Sequence, residues 1–231
     1  IRAVIAMPAD APAVKMDNVR ALGAEVVPFD RFRDDRMTLV KPWLDEGMVL
    51  VPPYDDPLIV AGQGTVGLEI VAQAKATDII PDAVVVPCGG GGLTAGVAIA
   101  VTDGFPGTEV WGVEPEHFDD TRRSLAEGRR VSNEPGHASV CDAILTPEPG
   151  VVTFAVNREK IAGIAVVSDA EAVAAVREAM LSLKLVVEPG GAVGLAALVS
   201  GKIPVAARTV VVVLSGGNVD AAAYARIMGT A

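Results

Sequence analysis

The feature that most constrains this chain is a run of four glycines, Gly89–Gly92. It follows the all-apolar stretch Ala83–Pro87 and Cys88, and an apolar, Ala-rich segment continues from Leu93. Glycine loses more backbone entropy on folding than any other residue, so a run of four is costly to keep for a plain turn. A strand that ends in such a run, with a helix behind it, has successive N–H groups free to turn inward on one anion. The helix N-terminus adds its partial positive charge. The run therefore reads as a phosphate cradle, where a ligand-free turn would need a single glycine. No Lys-Ser/Thr pair follows it, so it is not a Walker loop. Glu109 and Glu114 stand near the spacing at which a dinucleotide site keeps its acidic residue, which leaves a nucleotide reading open.

The chain around this run has the composition of a folded domain. Apolar residues make up 51% of 231 residues and charged residues 21%. That length suits one large domain or two small ones. The formal net charge of −10, with no basic run, argues against nucleic acid and anionic membranes as partners. The longest apolar stretches, such as Thr209–Leu214, are too short to span a bilayer. Cys88 and Cys141 form no CxxC pair, and His117 and His137 form no metal-binding motif. A cytoplasmic protein with reduced thiols is expected.

Hydrophobic periodicity predicts strands at Ala3–Met7, Glu25–Phe29 and Met48–Val51, with helices over Ala13–Leu22 and Asp34–Glu46 between them. This is a compact α/β unit with parallel strands. Beyond the boundary expected near Asp55–Pro57, a helix over Gly62–Ala76 starts after a small-residue turn at Ala61–Thr65. Strands follow at Ala83–Pro87, Val110–Val113, Ile164–Val167 and Val210–Leu214. Helices are expected from the glycine run to about Val101, around Asp120–Glu127, from Ser168 to about Lys184, and over Gly190–Leu198. The first of the last two opens on a capping box, Ser168 to Glu171. The stretch from His117 to Val151 is otherwise read as loops. The division is thus 1–57 and 58–231.

A second Gly-containing turn, Ser215-Gly216-Gly217-Asn218, leaves the end of the last strand. In open parallel sheets ligands bind outside the carboxyl ends of the strands. The two turns face one crevice if their strands are neighbours.

Taken together, several blocks carry a resemblance. They are Pro8–Lys15, Gly23–Val27, Gly62-Gln63-Gly64-Thr65, Gly89–Leu93, Glu188-Pro189-Gly190-Gly191-Ala192 and Ser215–Asn218. In this order they resemble the threonine dehydratase and serine racemase family, pyridoxal phosphate enzymes of fold type II, the tryptophan synthase β-like fold. The resemblance spans essentially the whole chain. It implies an α/β fold of two three-layer α/β/α domains with mostly parallel sheets. It implies that the backbone of Gly89, Gly90, Gly91, Gly92 and Leu93 holds the phosphate of pyridoxal 5′-phosphate. Ser215 then hydrogen-bonds the pyridine nitrogen, Glu188 lies by the ring, and Asn218 shapes the wall. A hydroxyl leaves that ring a weaker electron sink than a carboxylate would, which suits β-elimination. The resemblance also implies a Mg²⁺ or Ca²⁺ held by the carboxylates of Glu114 and Asp120 and the main-chain carbonyl of Phe118. A solvated acidic loop is the alternative there.

One part of the family pattern has no counterpart. The six lysines, Lys15, Lys41, Lys75, Lys160, Lys184 and Lys202, all read as surface charges, and none stands in the segment that supplies the family's Schiff-base lysine. The substrate-carboxylate loop is also absent. An N-terminal portion required for activity is expected to precede Ile1. The catalytic residue is thus unknown from this chain. No regulatory domain is expected after Ser215–Asn218, which makes the expected resemblance one to the short, catabolic dehydratases. The implied activity is dehydration of a β-hydroxy amino acid to a 2-oxo acid and ammonia. The substrate is of threonine or serine type, 3-hydroxyaspartate or a bulkier analogue, and the enzyme is a homodimer. A serine or aspartate racemase is the alternative within the scaffold. A catalytically inactive remnant that binds phosphate or a partner is the alternative outside it.

Overall fold

The computed structural model describes residues 1–30, 33–204 and 209–229. Two compact units emerge, one of Ile1–Val51 with Asn218–Ala231, the other of Pro52–Gly217.

In the first unit, β1 (Val4–Pro8) pairs in parallel with β2 (Glu25–Phe29), in register from Val4↔Glu25 to Pro8↔Phe29. The crossover is α1 (Ala13–Ala21), which ends at Gly23 in the left-handed region. Next, α2 (Arg36–Asp45) is capped by Asp35, whose carboxylate accepts from the N–H groups of Met37 and Thr38. The third strand expected at Met48–Val51 does not form. Those residues are irregular, and Val49 and Val51 are 86% and 71% exposed. A short β-branched run needs a neighbouring strand to satisfy its ladder, and none pairs with it among the described residues. The unit closes with α9 (Ala221–Gly229), beyond the last element expected from sequence.

The second unit opens with α3 (Pro57–Ala76). The turn expected at Ala61–Thr65 lies inside this helix. The start signal is Asp56-Pro57: the Asp56 carboxylate accepts from Leu58 and Ile59 N–H groups, and proline occupies the first helical position. The small residues serve packing instead. A Cβ on Gly96 would lie 2.5 Å from the carbonyl oxygen of Val60 and from the nitrogen of Gly64. The backbones of α3 and α4 (Gly92–Gly104) thus touch with no side chain between them.

Four parallel strands follow: β3 (Ala83–Pro87), β4 (Glu109–Pro115), β5 (Gly163–Val167) and β6 (Val210–Val212), in the order β5-β4-β3-β6. All five residues of β3 are buried, as a central strand covered on both faces requires. Val84 and Val86 pack with Val97, Ala98 and Val101 of α4. The opposite face meets α8 (Pro189–Val199), where Gly194 lies against Val85 and Val212. This is a three-layer α/β/α sandwich. The capping box of Ser168 and Glu171 opens α7 (Asp169–Glu178), and one π-helical turn carries that helix on to Leu183. Between β4 and β5 stand α5 (Asp120–Glu127) and α6 (Val151–Lys160). The latter is unexpected from sequence, because its cap comes from Asp55, far away in the chain.

Candidate active site

The glycine turn leaves β3 and enters α4 with Gly91 at φ +90°. Among the described residues, no acceptor meets the main-chain N–H groups of Gly89, Gly90, Gly91, Gly92 or Leu93. Gly90, Gly91 and Gly92 are buried. Buried backbone donors nearly always find a partner, so the three buried N–H groups, continued by those of Gly89 and Leu93, suit an anion at the start of α4.

The positions a side chain would occupy on this turn are already taken. A Cβ on Gly90 would meet the ring of Tyr54 at 2.4 Å, and one on Gly91 the amide nitrogen of Asn157 at 2.7 Å. From behind, Thr153 Oγ1 donates to the carbonyl of Gly90 (2.6 Å) and Asn157 Nδ2 to that of Gly91 (3.2 Å). The N–H of Gly150 also donates to Gly90.

The second turn stands beside the first. β6 pairs directly with β3, with Ala83↔Val210 and Val85↔Val212, so the chain leaves both strands at the same end of the sheet. Strand order runs from β3 outward through β4 and β5, then returns to β6 on the other side of β3. That reversal is a topological switch point, where parallel sheets bind ligands. Ser215 is exposed at the mouth of this crevice. Glu188, largely buried at the start of α8, reaches Gly216: a Cβ there would lie 2.3 Å from Glu188 Oε1. The N–H of Glu188 donates to the carbonyl of Gly216. Asn218 is exposed and belongs to the first unit.

The acidic segment lies at the end of β4. Glu114 is fully buried, and its carboxylate accepts from the N–H groups of Thr121 (2.9 Å) and Arg122 (3.0 Å), capping α5. Asp120 accepts from Asn133 Nδ2 at 2.6 Å, while its second oxygen is buried with no partner among the described residues. Burial and the charge of Asp120 push the Glu114 carboxyl well up, and burial pushes Asp120 up too. Two carboxylates in a dry pocket share a proton or take a cation. Phe118, the third residue the resemblance implies here, is also buried. Asp119 is different. Partial burial raises its carboxyl, but Arg122 and Arg123 outweigh that and hold it low. Among the described residues, no group of three or more His, Cys, Asp or Glu side chains gathers for a metal.

Comparison with known proteins identifies the family. Residues 1–216 match the family model described as pyridoxal-phosphate dependent enzyme. The chain belongs to this family. It is 37% identical to an L-threo-3-hydroxyaspartate ammonia-lyase of Saccharomyces cerevisiae over 230 residues, 99% of this chain and 69% of the relative. It is 36% identical to a serine racemase of Schizosaccharomyces pombe, again over 99% of this chain and 69% of the relative. Among solved structures, a threonine deaminase from T.th. superposes with a TM-score of 0.86 at 43% identity, covering 95% of this chain and 71% of that one. These relatives share the α/β fold with parallel sheets expected of the chain. The nucleotide reading is set aside.

The glycine turn has the chemistry that a pyridoxal phosphate cofactor asks for: its N–H groups are unpartnered donors, and a phosphate offers acceptor oxygens. The lysines lie elsewhere. Lys15, Lys41, Lys75 and Lys160 are on α1, α2, α3 and α6, Lys184 ends the π turn, and Lys202 pairs with Glu171 at 2.7 Å. Sequence reasoning missed Tyr54, Asp55, Thr153 and Asn157. For Tyr54 and Asp55 the available signal was the Asp56-Pro57 helix start, which places them just outside α3. Thr153 and Asn157 have i, i+4 spacing, which puts both on one helix face.

Proposed function

We propose that this protein is an ammonia-lyase that dehydrates a small β-hydroxy amino acid to a 2-oxo acid and ammonia. The observation that carries the proposal is the row of five unpartnered N–H groups on the turn after β3, beside the turn after β6. Relatives named for L-threo-3-hydroxyaspartate and L-threonine supply the substrate class.

Bound pyridoxal phosphate draws electrons from the substrate's Cα, which makes the Cα proton acidic. This chain's residues bind and orient. The N–H groups of Gly89 to Leu93 hold the phosphate and anchor the ring. The Ser215 hydroxyl takes the ring nitrogen as a neutral hydrogen-bonding partner, and Glu188 closes the wall behind Gly216. Glu114, Asp120 and the Phe118 carbonyl would hold a Mg²⁺ or Ca²⁺ if the site takes one.

The test is release of 2-oxo acid and ammonia from L-threonine, L-serine and L-threo-3-hydroxyaspartate by the complete, cofactor-loaded protein, including the portion expected to precede Ile1. No release from any of the three, with cofactor bound, overturns the reading. The similarity to serine racemases favours a second activity, racemisation. Chiral chromatography of recovered substrate separates the two. A homodimer in the cytoplasm is part of the proposal, and among the described residues no helix is long and apolar enough to cross a membrane.

A further inference from the structure

The face of α6 behind the glycine turn carries two polar side chains that are wholly buried, Thr153 and Asn157. Both donate to carbonyls of the turn, Thr153 to Gly90 at 2.6 Å and Asn157 to Gly91 at 3.2 Å. A planar trans peptide points its C=O and the N–H of the next residue in opposite directions. Drawing the Gly90 carbonyl toward α6 therefore turns the Gly91 N–H away from α6. Drawing the Gly91 carbonyl back does the same for the Gly92 N–H. Glycine has no side chain to settle these orientations, and its backbone is the freest of all.

Asn157 also carries a cost. Its Oδ1 is buried with no partner among the described residues. A buried polar atom left unsatisfied destabilises a fold, so an apolar residue would be the stable choice for packing alone. The helix itself is fixed by Asp55, whose carboxylate accepts from Val151 and Val152 at 2.8 Å each.

We propose that Thr153 and Asn157 are positioning residues that aim the Gly91 and Gly92 N–H groups at the cofactor phosphate. The proposal rests on the reading of the turn as a phosphate cradle. It adds that the cradle is aimed from α6 and is not set by the glycines alone.

The test measures affinity of the cofactor-free protein for pyridoxal 5′-phosphate, inorganic phosphate and pyridoxal, which lacks the phosphate. Thr153→Val and Asn157→Leu keep shape and remove the donors. Each should weaken both phosphate-bearing ligands about tenfold and leave pyridoxal unchanged, the loss expected for one hydrogen bond that orders a charged contact. Thr153→Ser should restore wild-type affinity. A purely structural role would lower affinity for all three ligands alike, and that result overturns the proposal. Unchanged phosphate affinity in the variants overturns it while leaving the cradle intact. No phosphate binding by the wild-type protein overturns the cradle as well. If Asn157→Leu does not fold, Thr153→Val decides alone.

Discussion

The carboxylate of Asp55 accepts hydrogen bonds from the N–H groups of Val151 and Val152, both at 2.8 Å, across more than ninety residues of sequence. It thereby serves as the N-terminal cap of α6 from outside that helix's own segment. Loss of a capping carboxylate costs about 0.5–2 kcal/mol. Asp55→Ala should lower stability by that amount in urea unfolding. Asp55→Asn, which keeps an acceptor oxygen, should recover much of the loss.

Two glycines should respond to alanine with opposite signs. Gly91 has φ +90°, and its Cβ would press on Asn157 and Thr153. Gly91→Ala should destabilise by about 1–3 kcal/mol. Gly62 lies within α3 with open space where a Cβ would go. Gly62→Ala should stabilise by about 0.5–1 kcal/mol. Thermal unfolding of both variants checks the pair.

The thiols should be silent in the native protein. Burial pushes the Cys141 thiol up to about 12, and burial together with the Glu114 charge pushes Cys88 up further. Only the thiolate is a good nucleophile. A chromogenic thiol reagent at about pH 8 should titrate neither cysteine in folded protein and both after denaturation. Rapid labelling of the native form would contradict this.

Glu171 links stability to pH. Partial desolvation raises its carboxyl, but hydrogen bonds from Lys202 and Ser168 outweigh that and hold it below its ordinary 4.5. A depressed carboxyl stabilises the fold above its unfolded pKa, and that contribution is lost as pH falls through the folded value. Glu171→Gln keeps a side-chain acceptor for the capping box but loses the charge. The variant should be less stable than wild type at about pH 7. The gap should close as pH falls below 4.5 and through the lowered folded value, read from urea midpoints. A gap constant with pH would refute the assignment.

Metal dependence should track Asp120. If Glu114, Asp120 and the Phe118 carbonyl hold a divalent ion, Mg²⁺ or Ca²⁺ raises the melting temperature of wild-type protein. Asp120→Ala should abolish that rise at any metal concentration. An equal rise in both proteins would remove the site.

The turn after β3 was legible because its signals are local: an all-apolar strand, four glycines, an apolar helix. The capping box at Ser168 was legible for the same reason. What escaped depends on distant partners. Helix α6 lacks a start signal of its own, since Asp55 supplies it. Met48–Val51 has the composition of a strand but, among the described residues, no neighbour to pair with. The small residues around Gly64 look like a turn, yet they exist to admit the backbone of α4 at Gly96. Tyr54, which fills the space over Gly90, is an ordinary loop aromatic in sequence. Periodicity reports what a segment prefers, not what approaches it from elsewhere.

The pairing of β6 with β3 has a consequence for biosynthesis. The glycine turn emerges from the ribosome long before Val210–Gly217. At about 5–20 residues per second, several seconds separate the two turns. Until β6 docks, the sheet has an open edge at β3 and the anion cradle stands without its neighbour. A nascent chain at that stage holds half a crevice. If the cradle takes the cofactor phosphate, a crevice complete on both sides waits for nearly all of the second unit to be made.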